Sequence, residues 1–192
     1  MREGLAAHSS FDTLEAFEFV FDSPMAAVSP ELSHYATVSF PPGRPIVAAI
    51  EDLSHRIHTE FRYTPKATRI DTPLLDVLRL KKGVCQDFAH VMIGAVRSMR
   101  LAARYVSGYL RSGARVQGAE ASHAWVSVFI PGTGWMDIDP TNDVRPATGH
   151  ITLAWGRDYS DVAPVRGVAL GGGTQIVDVT VRVDPVDDPT SR

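Results

Sequence analysis

The run Gly83-Val84-Cys85-Gln86-Asp87-Phe88-Ala89-His90-Val91-Met92-Ile93-Gly94-Ala95-Val96 constrains this chain more than any other stretch. Phe88, Val91, Met92, Ala95, Val96 and Met99 fall on one broad helical face, and a helix with so wide an apolar face is expected to be the buried centre of its domain. Cys85, the single cysteine of the chain, opens that helix. A thiol in this place meets the positive end of the helix dipole and the unpaired N–H groups of the first turn, and both favour thiolate over thiol. The same N–H groups are placed to stabilise a developing oxyanion. A lone cysteine elsewhere would read as a small buried apolar residue. Here the helix start and the glycine two positions earlier point to a nucleophile.

Downstream, Ser122-His123-Ala124-Trp125 lies on strand-like sequence and is followed by Asp137-Ile138-Asp139-Pro140. The order Cys, His, Asp supplies each part of a thiol-based acyl-transfer site. His123 on a rigid strand, with Trp125 on the same face, is suited to take a proton from a thiol and return it to a leaving amine. Asp137 and Asp139 share a strand face, and either is able to orient the imidazole through its Nδ1–H. Asp139 is preferred, because Pro140 ends the strand and leaves that carboxylate at the rim. His90 follows Cys85 by five residues but lies roughly 140° round the helix, so the two side chains diverge. His8, His34 and His150 fall in loop-like sequence, and His55 and His58 read as helix-surface residues. Asp87, Asp143 and Asp161 read as cap, turn or solvated residues.

With 192 residues, 44% hydrophobic and 21% charged, the composition is that of a globular chain. A net charge of -3 and a pI near 6.1 supply no basic field, so no nucleic-acid partner is expected. One cysteine forms no internal disulfide and suits a reducing compartment, which gives a cytoplasmic expectation. The start of the chain shows no apolar signal core, and no stretch reaches the roughly 18 apolar residues of a membrane span, so no membrane partner is expected. No Cys-x-x-Cys or His-x-x-x-His pair offers a metal site, and no P-loop or GxGxxG opens a helix; neither metal nor cofactor is expected.

Phe17, Phe19 and Phe21 alternate within Leu14 to Phe21, which predicts a strand. Residues 22 to 45, rich in Pro, Ser and Gly, read as a linker or an extended wrap around another element, and the expected division is an N-terminal strand remnant and linker over 1–44 and a catalytic domain over 45–192. Val47, Ile50, Leu53, Ile57 and Phe61 predict a helix from about Pro45 to Thr59. Thr72-Pro73 reads as the capped start of a short helix ending near Lys81-Lys82-Gly83. Strands are predicted over Ala103–Leu110, His123–Ile130, Trp135–Ile138 and Gln175–Val183, the second and third joined as a hairpin. Helices followed by antiparallel strands make the fold class α+β.

The chain resembles the bacterial transglutaminase-like cysteine enzymes of the papain-like fold superfamily. The likeness rests on Gly83 to His90, on Ala103-Arg104-Tyr105-Val106-Ser107-Gly108-Tyr109, on Ser122-His123-Ala124-Trp125-Val126 and on Asp139-Pro140-Thr141-Asn142. Gly156 to Gly167 is similar to the segment that follows the catalytic strands in that family. The resemblance implies a papain/transglutaminase-like core in which a central helix bearing the cysteine packs on an antiparallel sheet bearing His and Asp. It implies Cys85 as nucleophile, His123 as base and later acid, and Asp139 as orienter. Many members carry a β-rich domain ahead of this core, of which Leu14 to Phe21 would be the remnant, with an exposed edge open to self-association.

The expected function is therefore thiol-dependent acyl transfer on amide bonds of a peptide, protein or amide substrate. The acyl-enzyme would be a thioester, and the oxyanion donors would be the Cys85 N–H with Gln86 or Tyr63 as second. Hydrolysis is favoured over amine transfer, because a short acidic chain has no large insertion to wall water out. The alternative is a non-catalytic binding or scaffold module on the same fold, which loss of a triad member would signal.

Overall fold

The computed structural model describes residues 11–111, 117, 122–164, 167, 170, 171 and 179–183. The chain begins with α1 (Phe11–Phe17), continued by a 3-10 turn at Glu18–Val20, and then α2 (Pro30–Thr37) and α3 (Ile46–Glu60). A short strand β1 (Arg62–Tyr63) leads to α4 (Leu74–Leu80), β2 (Lys82–Gly83) and α5 (Cys85–Ser98). The remainder is β3 (Ala103–Leu110), β4 (His123–Ile130), β5 (Gly134–Ile138), β6 (His150–Gly156) and the single turn α6 (Tyr159–Val162). The main sheet has the order β5-β4-β3-β6 and every pairing in it is antiparallel. It is an α+β fold, with the helix that carries Cys85 packed on the sheet that carries His123.

Helix α5 is buried along nearly its whole length, from Cys85 to Arg97, which follows from the width of its apolar face. It lies between the sheet on one side and α2, α3 and α4 on the other. Ala124, Val126, Val128 and Ile130, alternate residues of β4, face it as the sheet's half of the core. The opposite sheet face carries Phe129 and Trp135, covered by Ala16 and Phe19. Among the described residues no helix is long and apolar enough to cross a membrane.

The entry into α5 is set by the chain just before it. Helix α4 stops at Lys81, whose left-handed φ of 52° reverses the backbone while its N–H closes on Val77 O. Thr72 does not cap this helix: its hydroxyl accepts from Arg69 N, and Pro73 stands at the cap position. Lys82 and Gly83 then pair in parallel with Arg62 and Tyr63, which aims the following residue into the helix start.

The strand expected over Leu14 to Phe21 is instead α1 and the 3-10 turn. Phe17 and Phe21, four residues apart, meet edge to face at 5.0 Å, a helical neighbour relation that alternate spacing also permits. The stretch from 22 to 45 contains α2, opened by Ser29 accepting from Leu32 N at 3.1 Å with Pro30 in the first turn. Ala26, Leu32, Tyr35 and Ala36 from that stretch share one core with α5, so it is packed structure and not a tether. The buried Arg97 of α5 ties these parts together. Its guanidinium donates to Phe19 O at 2.9 Å, Ser23 Oγ at 3.0 Å, Ala103 O at 2.9 Å and Arg157 O at 2.7 Å. Of the strand expected over Gln175–Val183, residues 175–178 lie outside the described residues and 179–183 form no strand.

Candidate active site

Cys85 is the first residue of α5, buried to 8% exposure, following Val84 in extended conformation. Asp87 fixes this entry. Its Oδ2 accepts from Val84 N at 2.8 Å and from Thr68 Oγ1 at 2.6 Å, so the carboxylate caps the helix that presents the thiol. Burial raises the Asp87 carboxyl above its usual range, against the pull of the Thr68 and Val84 donors. The cap also explains Gly83, because any Cβ there would run into the Asp87 side chain. As first residue of the helix, Cys85 has no carbonyl one turn earlier to occupy its N–H. Of the two further donors expected, Tyr63 feels the charge of Cys85, which together with the larger effect of burial raises its hydroxyl. Gln86 follows Cys85 in the first turn and is half-buried.

His123 opens β4, opposite Gly108 of β3, and its side chain is wholly buried. Its Nε2 lies 2.8 Å from Asp139 Oδ2. The imidazole is thus held through Nε2, not through the Nδ1–H expected from the sequence. Nδ1 is buried without a full hydrogen bond, and it is the nitrogen left for Cys85 once Asp139 has claimed the other. Burial alone would push His123 down, but the hydrogen bonds and charges of Asp139 and Cys85 outweigh it and raise the ring to about 9. Trp125 lies over the ring at 6.2 Å and 28°. Its indole Nε1 donates to Asp137 Oδ2 at 3.3 Å, so the two candidate carboxylates go to different rings.

Asp139 follows β5 in a bridge to Val144 and is fully buried. Its Oδ1 accepts from Thr141 N at 2.9 Å and Asn142 N at 3.3 Å. Its Oδ2 takes His123, Asn142 Nδ2 at 2.8 Å and His150 Nε2 at 3.1 Å. Burial pushes this carboxyl up, yet the donors, His123 first, hold it well below the usual range. A carboxylate so surrounded stays ionised and fixes the ring it holds.

His150 is the residue that the sequence reading missed. It stands at the start of β6 and not in a loop, paired with Leu110 of β3. The alternation of Ile151, Leu153 and Trp155 was the available sign of that strand, and all three lie exposed on it. The fold also brings together two histidines that looked scattered. One ligand atom from each of His123, Asp139 and His150 lies within 4.8 Å of the others. Both Nε2 atoms already sit against Asp139, so a cation would have to displace their protons.

His90 has a different setting. Its Nε2 accepts from Tyr159 N at 3.2 Å and its ring packs on Tyr105 at 5.0 Å. Burial lowers it to about 4, which Asp158 opposes and Arg97 assists. His55 pairs with Asp143 at 2.7 Å, and His58 Nδ1 meets Thr141 O at 2.8 Å, so both bind α3 to the chain that follows Asp139.

Known proteins are similar to this chain in fold or in sequence. A candidate cysteine protease from Cytophaga hutchinsonii superposes with a TM-score of 0.68 at 28% identity, over 78% of this chain and 50% of that one. An uncharacterised protein of Mycobacterium tuberculosis is 40% identical over 182 residues, which is 90% of this chain and 58% of the relative. A protein-glutamine gamma-glutamyltransferase of Pseudomonas aeruginosa is 32% identical over 116 residues, 53% of this chain and 16% of that protein. The chain therefore spans little more than half the length of its mycobacterial relative. Residues 39–140, from the end of α2 through the candidate carboxylate, match the core model of one family, and the chain belongs to the transglutaminase-like superfamily.

Proposed function

We propose that the protein is a thiol-dependent acyl-transfer enzyme acting on amide bonds, with Cys85 as nucleophile, His123 as base and acid, and Asp139 as orienter. The observation that carries the reading is the division of the His123 ring: Nε2 is bound to Asp139 at 2.8 Å while buried Nδ1 is left without a full partner. A ring held in this way and raised to about 9 holds a proton that a neighbouring thiol can supply. The thiolate attacks the carbonyl carbon, and the electron pair of the C=O bond moves onto oxygen, facing the Cys85 N–H. The Nδ1 proton passes to the amide nitrogen, the C–N bond breaks, and the amine departs from a thioester. Water then gives a proton to Nδ1 and its hydroxide attacks the thioester, releasing the acid and restoring the pair.

We favour water over an amine as acceptor. Water at about 55 M dominates an unenclosed site unless an amine is bound and oriented, an advantage that can reach effective molarities of roughly 10⁵ M. Support for the reaction class comes from the cysteine-protease and glutamyltransferase names carried by proteins similar to this chain. The test mixes the protein and a glutamine-containing peptide library with a millimolar primary amine and weighs the products. Free acid that disappears in Cys85→Ala supports the proposal. Amine conjugates would move it to transamidation, and the lack of any acyl-enzyme would defeat it.

A further inference from the structure

Asp139 Oδ2 receives two imidazoles, and only one of them faces the thiol. His150 Nε2 reaches that oxygen at 3.1 Å from β6, while His123 Nε2 reaches it at 2.8 Å from β4. The geometry points to His150 as a positioning residue that shares the Asp139 carboxylate and so limits how tightly it holds the catalytic imidazole. This inference rests on the function proposed above.

Several features give His150 a fixed post. Its ring stands perpendicular to Trp125 at 5.2 Å and 87°, and at 61° to His123 with centroids 6.1 Å apart. Trp125 is wholly buried, so two of the three rings are braced by a wall that cannot rotate away. The strand pairing adds to this. β3 and β6 slip register between Ser107 and Gly108, and a Cβ on Gly108 would clash with Ile151 O and the Trp125 ring. Strand β6 therefore approaches more closely at this glycine than a side chain would allow, next to the residue that meets Asp139.

The consequence for the reaction lies in how a carboxylate divides its charge. An oxygen that accepts several N–H bonds is a weaker acceptor toward each. Were His150 removed, Asp139 would hold the His123 proton more firmly, and the ring would become a poorer acid toward a leaving amine. The titratable groups around His123 are Cys85 from α5, Asp139 after β5 and His150 on β6. The neutral amide of Asn142 completes the set, with Nδ2 3.4 Å from His123 Nε2.

The test compares His150→Leu, which removes the N–H at similar volume, with His150→Gln, which keeps one. The first readout is the imidazole titration of His123 by nitrogen-15 NMR, which needs no turnover. His150→Leu is expected to raise the His123 midpoint by about half a pH unit and His150→Gln to return it. The second is steady-state kinetics, where His150→Leu is expected to lower kcat about tenfold with KM within about twofold. An unchanged or lowered midpoint in a folded His150→Leu overturns the inference and leaves His150 as packing. Should His150→Leu not fold, the wild-type spectrum decides: both Nε2 protons retained and shifted downfield at neutral pH support the shared carboxylate, and either one missing overturns it. Turnover that survives Cys85→Ala would defeat the proposed function while leaving the NMR result to judge His150.

Discussion

Two histidines are buried in this molecule to nearly the same degree, His90 at 4% exposure and His123 at 1%, and they behave oppositely. His90 accepts a backbone N–H and drops to about 4; His123 donates to a carboxylate and rises to about 9. Burial pushes both rings toward neutrality, so depth does not separate them. The partner does. At His90 the neutral donor from Tyr159 adds nothing against desolvation and the charge of Asp158 only partly offsets it, whereas the ionised Asp139 in direct contact reverses it at His123. One ring stands on α5 itself and the other at the start of β4.

The widest separation between them is in turnover. Cys85→Ala and His123→Ala are each expected to lower kcat/KM by about 10³-fold or more with native circular dichroism, whereas His90→Gln retains the chemical step. Equal loss in His90→Gln and His123→Ala would erase the distinction. Next in size is Asp139→Asn, which keeps the shape and removes the charge; a fall in kcat of about 10²- to 10⁴-fold is expected, together with a lowered His123 titration by NMR. A His123 midpoint unchanged in that variant would mean that the carboxylate is not what sets the rings apart.

A smaller effect lies in pH. Because His123 is raised above its unfolded value of about 6.5, its contribution to stability is complete below that value and is lost as pH rises through about 9. Activity that needs the His123 proton should fall over the same upper limb, as read from a kcat/KM profile. His90 has the opposite sign: lowered in the fold, it withdraws stability as pH falls from about 6.5 toward about 4. The smallest expected effect is therefore that His90→Gln flattens the acid side of the Tm-against-pH curve and leaves the alkaline side unchanged. An acid limb of unaltered slope would assign it to another group.

Much of this was legible before the fold was known, where a single period dominated. The apolar face starting at Phe88 gave α5, and alternation gave β3 and β4 with their ends at Ala103, Leu110, His123 and Ile130. Two stretches of alternating aromatic or apolar residues show where that signal fails. Phe17, Phe19 and Phe21 alternate but belong to a helix and 3-10 turn, with Phe19 packed on the sheet, edge-on to Trp135 at 5.4 Å. Ile151, Leu153 and Trp155 alternate and are a strand, yet all three are exposed, and the slip of register sets Trp155 opposite Val106 but Ile151 opposite Tyr109, on the other face of the sheet. His150 was lost with that strand. Its meeting with Asp139 depends on a register slip in β3 and β6 that no local pattern announces.

The guanidinium of Arg97 joins the chain ahead of the family match to the helix that carries the thiol. The family match begins at residue 39, and a chain begun at Pro45 would keep Cys85, His123 and Asp139. It would also strip from Arg97 its acceptors at Phe19, Ser23 and Ala26, leaving only the carbonyls of Ala103 and Arg157. A buried cation robbed of three of these five partners costs roughly 3 kcal/mol, a large share of what holds a domain of this size together. A piece that keeps every one of these Arg97 hydrogen bonds reaches back to Phe19, some twenty residues ahead of where the family match starts.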